Sequence, residues 1–359
     1  MSVYWAAEDG WTLPRRPLLT SARTRWAPNL QVMGAPSPRR LSRLAEELEE
    51  AGLALPEGLE RELLLKEVDR ALRPQVHEGR VPNSGTIVNP QAPPATWSAG
   101  TGLEITEMPT GPVPATADLR RFIDGLSSWL CRTPDESADR VLLFDRPVSS
   151  ERDLVVLART FQATVVQRHP SGVVRVVGPF GVLRWEGLEW RLERHVGSWL
   201  QAVRGDDIAT SPVVEPMLVF AVHDLAAAGI GAVLIARKDA TPGPGFQDRL
   251  SLPPRLHVGT PEHLGPLRHA LAHVDGAAIF DEGGWLRRFG VILAPSTESR
   301  YFVPPIGGAR HTSAARYSYD DPSATVIVVS EDGPVTVLRA GGVLAQSRSP
   351  LLGGPDLTA

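Results

Sequence analysis

The stretch VVEPMLVFAVHDLAAAGIGAVLIA, residues 213–236, decides the fold class. Val213 to Ala228 reads as an apolar helix with Gly229 as its stop, because glycine readily takes the left-handed conformation that ends helices. Ala232 to Ala236 is a short apolar run and reads as a buried strand. The alternation continues downstream. His263 to Leu271 reads as a helix, and Gly276–Phe280, Gly290–Ala294, Thr325–Ser330 and Val335–Ala340 read as strands. Thr241 to Gly245 is a proline- and glycine-rich flexible loop, and Glu331 to Pro334 is the turn between the last two strands. Helices alternating with strands predict a layered α/β domain over residues 211–347, with a tail over 348–359.

Upstream, residues 1–36 mix Trp5, Trp11 and Trp26 with prolines and arginines, so irregular structure is expected. Pro38 to Ala51 sets Leu41, Leu44, Leu48 and Ala51 at helical spacing, and Gly58 to Leu72 repeats the pattern with Leu59, Leu63, Val68 and Leu72. These two helices predict an acidic hairpin with solvated faces. Gly79 to Pro114 is rich in Pro, Gly, Thr and Ser and reads as a linker or loose loop, with a short strand at Gly85 to Val88. Thr116 to Arg132 reads as helix, Arg140 to Phe144 as strand and Ser149 to Phe161 as helix. Four strands with half-buried alternation are expected at Ala163–Arg168, Val173–Val177, Val182–Trp185 and Glu189–Leu192. The expected organisation is a helical hairpin and linker over 1–110, a small α/β unit over 115–205, and the C-terminal α/β domain.

A chain of 359 residues has room for two or three domains. Hydrophobic residues at 42% and charged residues at 22% exclude wholesale disorder. A net charge of −4 gives no general basic footprint, so nucleic acid is not an expected partner. Cys131 is the only cysteine, which excludes an internal disulfide and a cysteine-based zinc site and fits a reducing compartment. Its place in the apolar pattern of the expected 116–132 helix marks it as core. Glu215, His223 and Asp224 interrupt the most apolar stretch, and no window of about 18 apolar residues occurs, so no membrane span is expected. The start of the chain lacks a basic region leading into an apolar one, so no signal peptide is expected and the location is read as cytoplasmic.

Three clusters in the C-terminal segment carry chemistry. Asp275-Gly276-Ala277 sets a carboxylate beside a glycine at a strand start, where a ligand can approach the backbone. Gly307-Gly308-Ala309-Arg310-His311-Thr312-Ser313 precedes an expected helix, Ala314 to Ser318, and offers a cation and hydroxyls suited to phosphate oxygens. Ser330-Glu331 puts a hydroxyl and a carboxylate at a strand end. Taken singly, Asp-Gly and Ser-Glu-Asp-Gly are also ordinary turn sequences.

Taken together and in order, the clusters resemble the diadenylate cyclase domain, the family that makes cyclic di-AMP. Gly231-Ala232-Val233-Leu234-Ile235 looks like its Gly-Ala-Leu-Ile-Val strand, and Asp275-Gly276-Ala277 matches its Asp-Gly-Ala motif. Gly308-Ala309-Arg310-His311-Thr312-Ser313-Ala314-Ala315 resembles its Gly-Thr-Arg-His-Arg-x-Ala segment. Val326 to Glu331 resembles its strand ending in Ser-Glu. The resemblance implies an α/β fold: a C-terminal mixed β-sheet flanked by helices, preceded by a smaller α/β sensor-like domain and an N-terminal helical segment. It implies ATP as substrate, Mg2+ or Mn2+ held by Asp275 and Glu331, and a homo-oligomer whose cyclase domains meet face to face. Asp275, with Gly276 and Ala277, would be catalytic. Gly231, Ala232, Gly308, Arg310, His311, Thr312, Ser313 and Ser330 would bind nucleotide and phosphate. Two departures stand out: Thr312 replaces the motif's second arginine, and the histidine that often directly precedes Asp-Gly-Ala sits one residue further back, at His273. The Thr312 departure favours an alternative, a catalytically silent nucleotide-binding module. Neither the membrane helices of anchored cyclases nor the helical DNA-binding portion of the DNA-scanning type is expected.

Overall fold

The computed structural model of the chain describes residues 36–76, 78–108, 119–134, 139–194, 196–197, 199–200, 212–238, 246–247, 252–331 and 334–347. The readings for residues 1–35, Thr241 to Gly245 and the 348–359 tail lie outside the described residues.

Eight strands form the first sheet: β1 (Ser84–Val88), β2 (Ile105–Glu107), β3 (Ser128–Arg132), β4 (Arg140–Phe144), β5 (Thr164–Arg168), β6 (Val174–Gly178), β7 (Gly181–Trp185) and β8 (Trp190–Arg194). Their order is β2-β4-β3-β1-β5-β6-β7-β8. β1 and β3 are parallel, and the other neighbours are antiparallel. Helices α1 (Pro38–Glu50) and α2 (Gly58–Leu72) cover one face, while α3 (Trp97–Thr101) and α4 (Glu151–Phe161) cover the other. The pleat sorts neighbouring residues between them. Ile87, Val165, Val177 and Val182 pack with Trp97, Leu154 and Phe161. The adjacent Val88, Val166, Val176 and Leu183 pack with Leu44, Leu48, Leu64 and Val68. Strands covered on both faces read as runs of valine, and this replaces the half-buried alternation expected from the sequence.

One further expectation is refined and one corrected. The strand expected at Gly85–Val88 is present as β1, but it lies mid-sheet between β3 and β5, buried from Gly85 onward, and not in a loose linker. Its proline- and glycine-rich flanks bound a central strand. Gly85 is required there, because an added Cβ would sit 2.6 Å from Gly125 Cα and from the Trp129 ring. The expected helix over 116–132 is replaced, in its described part, by one 3-10 turn at Arg120–Phe122 and by strand β3. A short apolar run buried on both faces carries no period that separates strand from helix. Cys131 is core, as expected, but on a strand, and burial pushes its thiol up to about 11.

The hairpin helices are not simply solvated. Glu67 of α2 is 2% exposed. Its carboxylate accepts hydrogen bonds from Thr86 Oγ1 (2.9 Å), Arg132 Nη1 (2.8 Å) and Arg120 Nη1 (2.8 Å). Burial alone would raise its pKa, but Arg120 and Arg132 together outweigh that and hold it below the usual carboxylate range.

The second sheet contains β9 (Ala232–Ala236), β10 (Phe246–Gln247), β11 (Ala277–Phe280), β12 (Leu286–Leu293), β13 (Thr325–Val329), β14 (Val335–Arg339) and β15 (Gly342–Gln346). Its order is β10-β12-β11-β9-β13-β14-β15. β9 and β11 are parallel and the rest antiparallel, so the sheet is mixed, as the resemblance implied. On one face, Leu234, Ile327 and Val329 pack with the helix that begins as α5 (Val214–Phe220) and with α6 (Pro261–His273). On the other, Val233, Ile235 and Val328 pack with Ala314, Ala315 and Tyr317 of α8 (Ala309–Asp320). The short helix α7 (Thr297–Phe302) and strand β15 go beyond the sequence expectation. The helix starting at Val214 widens into a π turn at Ala221–Leu225, tightens to 3-10 at Ala226–Ala228 and closes at left-handed Gly229, φ 65°. Among the described residues no helix is long and apolar enough to cross a membrane.

Replacing Glu67 by Gln leaves the Arg120 and Arg132 guanidinium groups without their shared anion. The expected loss of stability is about 3–5 kcal/mol, the cost of breaking a buried pair from one side. Urea unfolding of the two proteins measures it, and a loss below roughly 1 kcal/mol would instead match a pair with the low worth of a solvent-exposed one.

Candidate functional site

The register of the second sheet gathers the sequence clusters at one end. Ala232 of β9 pairs with Val329 of β13, so Gly231 and Ser330 stand one residue beyond that pair. Ala277 of β11 pairs with Val233, so Asp275 and Gly276 open β11 beside the start of β9. The N-terminus of α8 reaches the same end. A Cβ built on Gly231 would overlap the Arg310 guanidinium and come within 2.9 Å of Glu331 Cγ. Glycine lets those two side chains lie where they do, and any larger residue would push them aside. Gly229, just upstream, lies beside the Glu331 carbonyl.

Gly276 has a different reason to be glycine. Its φ is 111°, and an added Cβ would meet the Gly290 carbonyl carbon at 2.5 Å. β12 therefore passes directly against the backbone at the foot of β11. Asp275 is exposed beside it, while Ala277 and Ala232 are buried in their strands.

Arg310 and Glu331 approach to 3.6 Å, with their side chains 37% and 73% exposed. An ion pair this open contributes about 0–1 kcal/mol, so either partner can turn to a stronger counter-charge at little cost. His311 is half-buried. Burial first, and the neighbouring Arg310 cation second, lower its pKa, so the ring is neutral at pH 7. Its Nε2 lies 3.3 Å from Thr336 Oγ1 of β14. Gly308 is the residue before α8 and brings no side chain to cap the first turn, which leaves the positive end of the helix dipole uncovered by a cap.

The hydroxyls next to Arg310 in the sequence are used differently. Thr312 Oγ1 stands 3.2 Å from both the N–H and the carbonyl of Ile306. It ties the Val303–Gly308 loop to the helix, as does Arg316, which donates to the Val303 carbonyl (3.2 Å). Ser313 donates to the Ala309 carbonyl one turn back (2.5 Å). Ser330 closes its turn through a backbone bond to Pro334 (2.9 Å). His273 turns onto its own helix, 2.7 Å from the His269 carbonyl. The structure thus brings Gly231, Arg310 and Glu331 into contact, with His311 adjacent and Asp275-Gly276 just before the neighbouring strand β11. It engages Thr312 and Ser313 with the backbone. Thr336 and the loop clamp escape sequence reading because a hydroxyl's partner is set only in three dimensions.

These features define a mixed-sheet α/β domain with a polar cluster at one sheet end, joined to a second α/β domain with both faces covered. Residues 219–343 match the family described as "DisA bacterial checkpoint controller nucleotide-binding" (DAC), and residues 42–193 match "Probable sensor domain DACNK". The chain is a DAC-domain protein with an N-terminal DACNK sensor domain. Among solved structures, a hypothetical membrane spanning protein from Bacillus cereus is 21% identical, over 41% of this chain and 68% of that one, with a TM-score of 0.31. A search of curated proteins gives no match.

Gly276→Ala is expected to cost roughly 2–4 kcal/mol, from positive φ plus overlap with the Gly290 backbone. Gly308→Ala, whose added Cβ meets nothing within 4 Å, is expected to stay within about 0.5 kcal/mol of wild type. Thermal or chemical unfolding of both variants separates the two.

Proposed function

We propose that the DAC domain is a diadenylate cyclase that condenses two ATP into cyclic di-AMP and two pyrophosphates, regulated by the sensor domain. The observation that carries this reading is the contact of Gly231, Arg310 and Glu331 at the sheet end where Asp275-Gly276 leads into β11. In each half of the reaction a bond forms between the 3′-oxygen of one ATP and the α-phosphorus of the other. The bond from that phosphorus to the pyrophosphate oxygen breaks, and the 3′ proton passes to the Asp275 carboxylate and on to water. Asp275 is assigned to the 3′-hydroxyl as acceptor of its hydrogen bond. Gly231, Ala232, Gly276 and Ala277 let the nucleotide lie against the backbone. Arg310, released from its loose pair with Glu331, and neutral His311 meet phosphate oxygens beside the start of α8. Ser330 adds a hydroxyl, and Thr312 and Ser313 hold the helix and its loop. The demand on the protein is positioning and charge neutralisation.

Asp275 and Glu331 are oxygen donors at one end of the sheet, and among the described residues no group of three His, Cys, Asp or Glu side chains forms a closed cage. Two carboxylates suit Mg2+ or Mn2+, with phosphate oxygens and water completing the shell. When bound, the ion supplies neutralisation of phosphate charge. One domain holds one ATP in this reading, so activity needs two copies with their DAC domains face to face. A second reading, nucleotide binding without turnover, is favoured by Thr312: its hydroxyl is engaged with Ile306, and a second guanidinium is missing where the cyclase motif has one.

The test is incubation of the purified protein with ATP and Mg2+ or Mn2+, with products resolved by mass. Cyclic di-AMP is expected from the wild type, and Asp275→Asn is expected to form it roughly 10²–10⁴-fold more slowly with unchanged circular dichroism. ATP binding without product would establish the second reading. Full activity in Asp275→Asn would remove the role given to Asp275.

A further inference from the structure

Among the described residues, two pairs of charged or polar side chains, consecutive in sequence on each side, link the two domains. Glu151, the first residue of α4, is fully buried. Its carboxylate accepts from Arg184 Nε (2.5 Å) and Nη2 (2.6 Å) of β7, and lies 2.8 Å from His223 Nδ1 of the DAC domain. The next residue, Arg152, donates from Nε to Asp224 Oδ2 at 2.8 Å. His223 and Asp224 are 6% and 7% exposed, and both sit in the π turn at Ala221–Leu225. Two contacts at adjacent residues fix both the position and the rotation of that turn relative to α4.

The same turn lies directly upstream of the candidate site. Ile230 N–H bonds the Leu225 carbonyl (2.9 Å), Gly229 closes the helix beside Glu331, and Gly231 seats the Arg310 and Glu331 side chains. Val222 and Leu225 pack in one core with Leu234, Ile327 and Val329 of the strands that lead to the site. A π turn holds one residue more than an α turn. Its return to α geometry would displace the residues after it by about one position, roughly 1.5 Å along the axis and 100° around it.

We propose that the paired contacts Glu151–His223 and Arg152–Asp224 are the coupling through which the sensor domain sets Gly231, and with it Arg310 and Glu331. His223 and Asp224 are positioning residues, and the π turn between the domains is the element with two arrangements. The proposal rests on the reading of this sheet end as a nucleotide site and adds how that site is regulated.

The experiment uses the full chain, with Arg152→Gln, Asp224→Asn and the exchanged pair Arg152→Asp with Asp224→Arg. Two readouts are taken: binding of α,β-methylene-ATP by calorimetry, and amide hydrogen exchange over residues 226–231 and 308–313. Each single substitution is expected to speed exchange in both segments and weaken binding by about tenfold, within the usual range of coupling between sites. The exchanged pair is expected to restore both. Faster exchange confined to 151–156 and 221–225, with 226–231 and 308–313 unchanged, would overturn the proposal and leave the contacts as local glue. If the wild type does not bind the analogue, the nucleotide reading fails on its own, and the exchange pattern still decides the coupling.

Discussion

The carboxylate of Glu151 is the constraint on which the two-domain arrangement depends. A buried charge is tolerated only when cations and hydrogen bonds replace its lost water. Burial alone would raise its pKa, yet the Arg184 cation and the hydrogen bonds from His223 and Arg184 bring it down to about 2. Those partners come from a strand of one domain and a helix of the other, so satisfying one carboxylate requires both domains in place. The linkage has a definite sign: the folded pKa lies below the ordinary value, so this stabilisation is present above the unfolded pKa and fades as pH falls toward 2. Glu193, nearby on β8, opposes it. Burial pushes its carboxyl up to about 7, so its contribution runs the other way between the unfolded value and 7.

The buried charges share one pattern. Glu67 joins the helical pair to β1 and β3 through Thr86, Arg120 and Arg132, much as Glu151 joins α4 to β7 and to the DAC domain. In each case an apolar face alone would permit several ways of laying a helix on a sheet. One carboxylate that must find its guanidinium groups narrows the choice. The cluster at the end of the second sheet is the opposite case. Arg310 and Glu331 are open to water and loosely paired, which suits groups that exchange partners when a ligand arrives.

Much of the fold is legible in the chain, for reasons particular to each segment. Gly58–Leu72, Arg140–Phe144 and Ala232–Ala236 are bounded by clear signals, and their sequence limits match the structure to the residue. The strand at Gly85–Val88 is legible, but its central place in the sheet is not, because its neighbours are proline- and glycine-rich; β3 resembles helix because an apolar run buried on both sides has no period of its own. Asp275 and Glu331 beside strand ends and Arg310 in the glycine-led segment at the start of α8 stand out as charges, whereas Gly231 is picked out through the family resemblance. The contact between the domains is not legible. His223 and Asp224 are visible as charged interruptions of an apolar helix, but their partners lie 72 residues earlier in the chain. Nothing local distinguishes a charge that interrupts a core from one that joins two.

The burial of Cys131 has a practical side. Its burial in strand β3 keeps reagents away, and the thiol pushed up to about 11 disfavours the reactive thiolate at pH 7. Little reaction with maleimides and other thiol reagents is therefore expected from the folded chain. A cysteine introduced on an exposed position will take a fluorophore or spin label alone, without removal of the native residue. One label on each domain then turns the intact protein into a molecular ruler for the spacing between them.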